Sequence, residues 1–255
     1  MNRIIISALV ALTLVGGLFA QEAAAPAQPA GPQPKSQEEV DAIVAVQNAT
    51  DPQARADAAQ ELIKSFPETE FLEFANYMTM LSYQQLNDFE NMVIFGEKTL
   101  ESNADNVGVL ISLAYAIPTR TREFDLDKDE KLAKAEDFAK RSLTLIPNMA
   151  KVDPAMPDEQ WLMAKKDFMA QANESLGLIA VKRGEHAEAE ALLKKALGLA
   201  AQQDAQTLYN LAVALKGQDK REEALDAVNK AVTAAAGGPG SDLYARLKTE
   251  LEQAK

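Results

Sequence analysis

The chain has no cysteine, which excludes disulfides, thiol nucleophiles and cysteine-ligated zinc. Histidine occurs once, at His186, so paired-histidine metal motifs are absent and no His-centred triad can be assembled from a recognisable pattern. A phosphate-cradling GxxxxGK loop, a GxSxG nucleophile elbow and a dinucleotide-binding glycine fingerprint are also missing. Basic charge is short: 26 Lys and Arg stand against 38 Asp and Glu, a net charge of -12. A surface of that sign repels phosphate backbones and anionic lipid, so nucleic-acid binding is not expected. Aromatics make up only 6% of the chain, which argues against a sandwich or barrel built on aromatic and β-branched residues. Carboxylates are abundant but nothing singles out a catalytic pair. The expectation is a protein that is not an enzyme and needs no cofactor.

What remains is ample material for helices: 47% of residues are apolar, alanine prominent among them, in a chain of 255 residues. Residues 1–20 open with a short positive stretch (Met1-Asn2-Arg3) and an uncharged apolar run from Ile4 to Phe19, closing on Leu18-Phe19-Ala20. This is the pattern of a cleavable export signal, and no cysteine follows it to carry a lipid. An uncleaved anchor helix is the other reading, and no second apolar span follows. Residues 21–35, rich in Ala, Pro and Gln, read as a tether. From there helix punctuation begins. Ser36 and Glu39 have capping-box spacing, and Asp51-Pro52 offers a cap followed by proline at the first helical position.

Internal repetition decides the fold class. Leu176-Gly177, Ala189 and Ala196-Leu197 recur as Leu211-Ala212, Ala224 and Ala231-Val232, each pair 35 residues apart. Gly184 and the run Gly217-Gln218-Asp219 punctuate each unit at its middle. Small residues stand where two helices must approach closely. Residues 36–67, 73–106 and 107–147 read as degenerate copies, the last with an insertion from Pro118 to Leu126. The segment Asp158 to Arg183 reads as one long helix carrying Trp161, Phe168 and Leu176. After Gly237-Gly238-Pro239-Gly240, Ser241 opens an amphipathic helix with Leu243, Leu247 and Leu251 in one stripe. Stacked repeats leave an open apolar face that such a helix can close.

The units 170–203 and 205–238 resemble tetratricopeptide repeats, whose period is about 34 residues. The resemblance implies an all-α, right-handed solenoid over 36–255 with a C-terminal capping helix. The layout of export signal, tether and repeats resembles secreted bacterial members, which implies a periplasmic or extracellular adaptor. The family also implies that the first helix of each unit lines a concave partner groove. By position those residues are Phe74, Tyr77 and Leu81, then Ile111 and Tyr115, then Glu174 and Leu178, and last Tyr209, Val213 and Lys216. Packing between units is the competing role for each of them. A clamp for a peptide carboxylate is not expected: Asn210 suits it, but Glu174 stands where a lysine is wanted. The expected partner is a protein or peptide with an apolar or amphipathic segment, self-association staying open.

Two other features bear on function. His186 follows Gly184 at a turn and is expected to face solvent. Asp125, Asp127 and Asp129 with Glu136 match a calcium loop at positions 1, 3, 5 and 12, which supports an alternative calcium- or small-ligand-binding role. The sixth position, where a calcium loop turns on glycine, is Glu130, and a solvated acidic helix cap is the simpler reading.

Overall fold

Several helices start where a side chain satisfies a free backbone amide, and the computed structural model shows these caps over the residues it describes, 31–151 and 153–253. Ser36 Oγ accepts from Glu39 N at 3.1 Å and opens α1 (Gln37–Asn48). The Glu39 carboxylate reaches back to the amide of Lys35 rather than to that of Ser36, at 2.6 Å. A hydrogen bond from the Thr69 hydroxyl, then that amide, holds its pKa below the usual carboxylate value. Asp51 caps α2 (Pro52–Ser65), and α3 spans Leu72–Gln85. Asp88 and Asn106 cap α4 (Phe89–Ser102) and α5 (Val107–Arg120). α6 is Lys128–Leu145, followed by a single 3-10 turn at Ile146–Asn148. α7 runs unbroken over Asp158–Arg183 and ends on Gly184, whose φ of 77° is the left-handed cap that glycine adopts freely. α8 (His186–Leu199), α9 (Ala205–Lys216), α10 (Arg221–Ala235) and α11 (Ser241–Gln253) complete the described chain.

The helices pack as five sequential pairs, α1/α2 through α9/α10, with α11 docked on the last. Among the described residues there is no strand, and no helix is long and apolar enough to cross a membrane. Residues 1–30, which hold the expected export signal and most of the expected tether, lie outside the described residues. Residues 31–35, also within the expected tether, lie against the α2–α3 connection: the Gln33 amide donates to Glu70 at 3.0 Å, and the Lys35 ammonium to the Glu68 carbonyl.

Alanine and glycine set the closeness of the pairs. A Cβ placed on Gly177 would lie 2.6 Å from Leu193 Cγ, so α7 and α8 meet at a distance no larger residue allows. Ala189, Ala196, Ala224 and Ala231, the small residues of the two regular units, are all buried. Between the second and third pairs, Gly96 of α4 abuts Leu113 of α5, and Met92 and Thr99 of α4 are buried as well. Tyr83 and Phe95 stack across α3 and α4 with centroids 5.7 Å apart.

Two expectations are corrected. The insertion in the third unit begins after Arg120, not at Pro118, because α5 continues through the proline. Pro118 costs only one bond near the helix end, and the Thr121 amide closes the last turn on Ile117. The buried stripe of α11 is Tyr244, Leu247 and Leu251, while Leu243 is exposed. Spacings of three and four keep Tyr244 in phase with the two leucines.

Candidate partner-binding groove

α3, α5 and the first half of α7 face one concavity of about 1750 Å3, which runs on to the α8–α9 loop, the start of α9 and the end of α10. Phe74, Tyr77 and Leu81 on α3, Ile111 and Tyr115 on α5, and Glu174 on α7 all line it. Tyr77 lies across Gly108, its Oη 3.3 Å from where a Cβ would stand, so glycine there lets the ring lie flat on the neighbouring helix. Burial raises the Tyr77 pKa, which keeps its hydroxyl neutral and able to donate.

The other four expected groove residues sit outside this concavity, and two of them, Tyr209 and Lys216, meet α11. Leu178 is buried. Tyr209 packs on Tyr244 with centroids 5.1 Å apart and rings tilted by 38°. Val213 is half-buried against the last core cluster, and Lys216 is ion-paired with Glu250 of α11. Burial first, and then the charge of Glu250, raise the Tyr209 pKa. The physical reason is that α11 packs where a sixth unit would place its first helix, so the inner surface of the last unit is already taken.

Position-by-position transfer from the repeat also missed part of the wall. Trp161, Ala164 and Phe168 line the concavity from the extension that α7 adds before its repeat, and Gln171 continues the same face just inside it. Their spacing of three, four and three residues marks one helical face, and this signal was available in the sequence. Met149, Met156 and Met163 join them, so five of the chain's eight methionines border this space. Methionine is unbranched and polarisable, so such a wall can reshape around an apolar guest.

The ionic character of the concavity is one-sided. Glu70, Glu73, Asp167, Glu174 and Asp204 border it, against Arg120, which lies 5.9 Å from the centre of the Phe89 ring. Glu73 accepts from the side-chain amides of Asn103 and Asn106 at 2.8 and 2.9 Å, and Asp167 from the backbone amide of Ala201 at 3.0 Å. These donors are neutral and leave the carboxylate charge in place. Glu174 is 4% exposed, where a carboxylate clamp needs a cation, and Asn210 is buried on α9, its Oδ1 accepting from Gln206.

The acidic loop does not gather its carboxylates. Asp125 accepts from the Arg122 amide and lies 3.6 Å from the Lys131 ammonium, which also pairs with Asp127 at 2.9 Å. Asp129 is exposed in the first turn of α6. Glu136 is engaged by Lys140 and, across to α7, by Arg183 at 2.7 Å. Among the described residues no group of three or more His, Asp or Glu side chains is placed to hold a metal ion. His186 is corrected as well. It is half-buried at the start of α8, its ring against Gly217 and its Nδ1 buried without a hydrogen-bond partner.

Residues 170–203 and 205–237 match the family model described as tetratricopeptide repeat. Among solved structures, TTC0263, a thermophilic tetratricopeptide-repeat protein of Thermus thermophilus, superposes with a TM-score of 0.51 at 20% identity, covering 85% of this chain and 98% of its own. PilW, a type IV pilus biogenesis factor, gives a TM-score of 0.44 at 17% identity over 86% of this chain and 96% of its own. Acl4, an assembly chaperone of RpL4, gives 0.47 at 12% identity over 85% of this chain and 95% of its own. The first of these likenesses shows a shared fold. No curated protein matches the sequence.

Proposed function

We propose that this tetratricopeptide-repeat protein is an exported adaptor that holds a partner protein in the concavity formed by α3, α5 and α7. The observation that carries this reading is the contrast between its two inner surfaces. The last unit's is covered by α11, whereas the earlier units leave aromatic and methionine side chains facing an open space of about 1750 Å3. Apolar side chains converging on a space that nothing in the chain's own described fold fills are the usual sign of a binding site. Export to a bacterial periplasm or beyond is part of the proposal, and its support is the charge and hydropathy pattern of residues 1–20.

The reading is tested by affinity capture from envelope extract on the immobilised chain from Gln21 onward, beside a Tyr77→Ala/Tyr115→Ala variant of unchanged helicity. The expected result is a protein retained by the wild type and lost by the variant. Equal retention by both forms would move the binding surface away from this concavity. Fractionation of the source cells tests export, which an uncleaved chain in the cytoplasm would contradict.

A further inference from the structure

Resting on that reading of the concavity, we infer that its partner segment is a basic amphipathic helix about four turns long. Three observations converge on this chemistry. The first is size. A helix with its side chains is about 10 Å across and rises about 1.5 Å per residue, so about 15 residues form a rod roughly 22 Å long. Three neighbouring helices, packed at about 8–10 Å between axes, present a floor of about that length.

The second is the wall. Tyr77, Tyr115, Trp161 and Phe168 share the lining with Met78, Met149, Met156 and Met163. Flat rings and flexible thioethers accept the irregular apolar stripe of a helix, whose anchors recur at three- and four-residue spacing. The same rings attract Lys or Arg over their faces.

The third is charge. Glu73 of α3 and Asp167 of α7 border the space with neutral donors on their carboxylates. An acidic segment would be repelled here, and a neutral one would leave those charges partly desolvated without a counter-charge. Other occupants fit less well. A second copy of the chain brings a net charge of -12, and residues 21–35 contain neither an aromatic nor a leucine to anchor them.

The test uses the chain from Gln21 onward and three labelled peptides of about 15 residues. One has Lys and Leu patterned as an amphipathic helix, one has Glu in place of Lys, and one is a scrambled Lys/Leu sequence with no apolar face. Anisotropy reports binding, and emission from Trp161, the chain's one tryptophan, reports that it occurs in the concavity. The patterned Lys/Leu peptide is expected to bind at least about tenfold more tightly than the other two and to shift Trp161 emission. Glu73→Gln with Asp167→Asn keeps an acceptor for each donor while removing both charges. This variant should weaken the Lys/Leu peptide about five- to tenfold without moving the melting temperature.

Equal affinity for the Glu/Leu peptide overturns the basic-helix assignment while leaving the groove reading standing. Lys/Leu binding that is unchanged in the Tyr77→Ala/Tyr115→Ala variant and leaves Trp161 silent overturns both. Absence of binding by all three peptides overturns the inference. So does displacement of the Lys/Leu peptide by a peptide of residues 21–35 or by self-association of the chain.

Discussion

The C-terminal units are the more regular and the N-terminal units the more open. From α7 to α11 the chain closes on itself. Alanines set the helix spacing, Gly177 seats Leu193, and α11 lays Tyr244, Leu247 and Leu251 onto the last pair. From α3 to α7 the repeat pattern is blurred, and the rings and methionines that blur it border the concavity. Departure from the repeat consensus thus coincides with the surface left for a partner. Stacking needs small residues at fixed places, whereas holding a ligand needs large ones facing inward, and one position cannot meet both demands.

The sharpest way to break this contrast is to end the chain after Gly240, which removes α11 alone. That exposes the surfaces that meet Tyr244, Leu247 and Leu251, each worth about 1.5–3 kcal/mol as an upper estimate. Thermal unfolding should then fall by more than about 10 °C, at about 2–4 °C per kcal/mol for a chain of this size. Below the lowered transition, binding in the concavity should persist. Next in size is Leu193→Ala, which leaves a cavity against Gly177 and costs about 2–5 kcal/mol, read as a shift in the denaturant midpoint. Tyr77→Ala/Tyr115→Ala inverts the pattern, removing about 2 kcal/mol or more of partner affinity in a titration while costing less stability than Leu193→Ala.

A smaller effect belongs to Glu190. Hydrogen bonds from Lys194 first, then Lys220, hold its pKa at about 2, and Gln218 adds a third donor, so the carboxylate ties α8 to the turn between α9 and α10. A folded pKa below the unfolded value means the stabilisation is complete above about pH 4.5 and is lost as pH falls towards 2. Both lysines are more than a third exposed, so solvent screening limits Glu190→Gln to about 1 kcal/mol at neutral pH. The gap between variant and wild type should close in melting curves near pH 2. The smallest effect is expected at the tip of the α5–α6 loop, where Phe124 is 93% and Leu126 107% exposed. Phe124→Ser/Leu126→Ser should change stability by less than about 0.5 kcal/mol and leave binding in the concavity unaltered.

Helix starts were legible because caps are local. Ser36, Asp51 and Asp88 each need only a backbone amide three residues on, and the sequence states that spacing. The regular units were legible because the 35-residue period fixes which small residues meet. The concavity was half legible: the α3 and α5 positions followed from the repeat, while Trp161 and Phe168 precede the repeat that α7 belongs to, so no register assigned them. Tyr209, Val213 and Lys216 fell elsewhere because a docked helix changes what a groove position faces, and docking is not local. His186 shows the same limit, since a turn predicts exposure but Gly217 of the next unit offers its ring a seat.

The most direct measurement is hydrogen exchange on the chain with and without the patterned Lys/Leu peptide. The account predicts new protection in Leu72–Gln85, in Val107–Arg120 and in the first half of Asp158–Arg183, with α11 (Ser241–Gln253) unchanged. Protection confined to Ala205–Gln253, or spread evenly over every helix, would contradict the division of labour between the two halves.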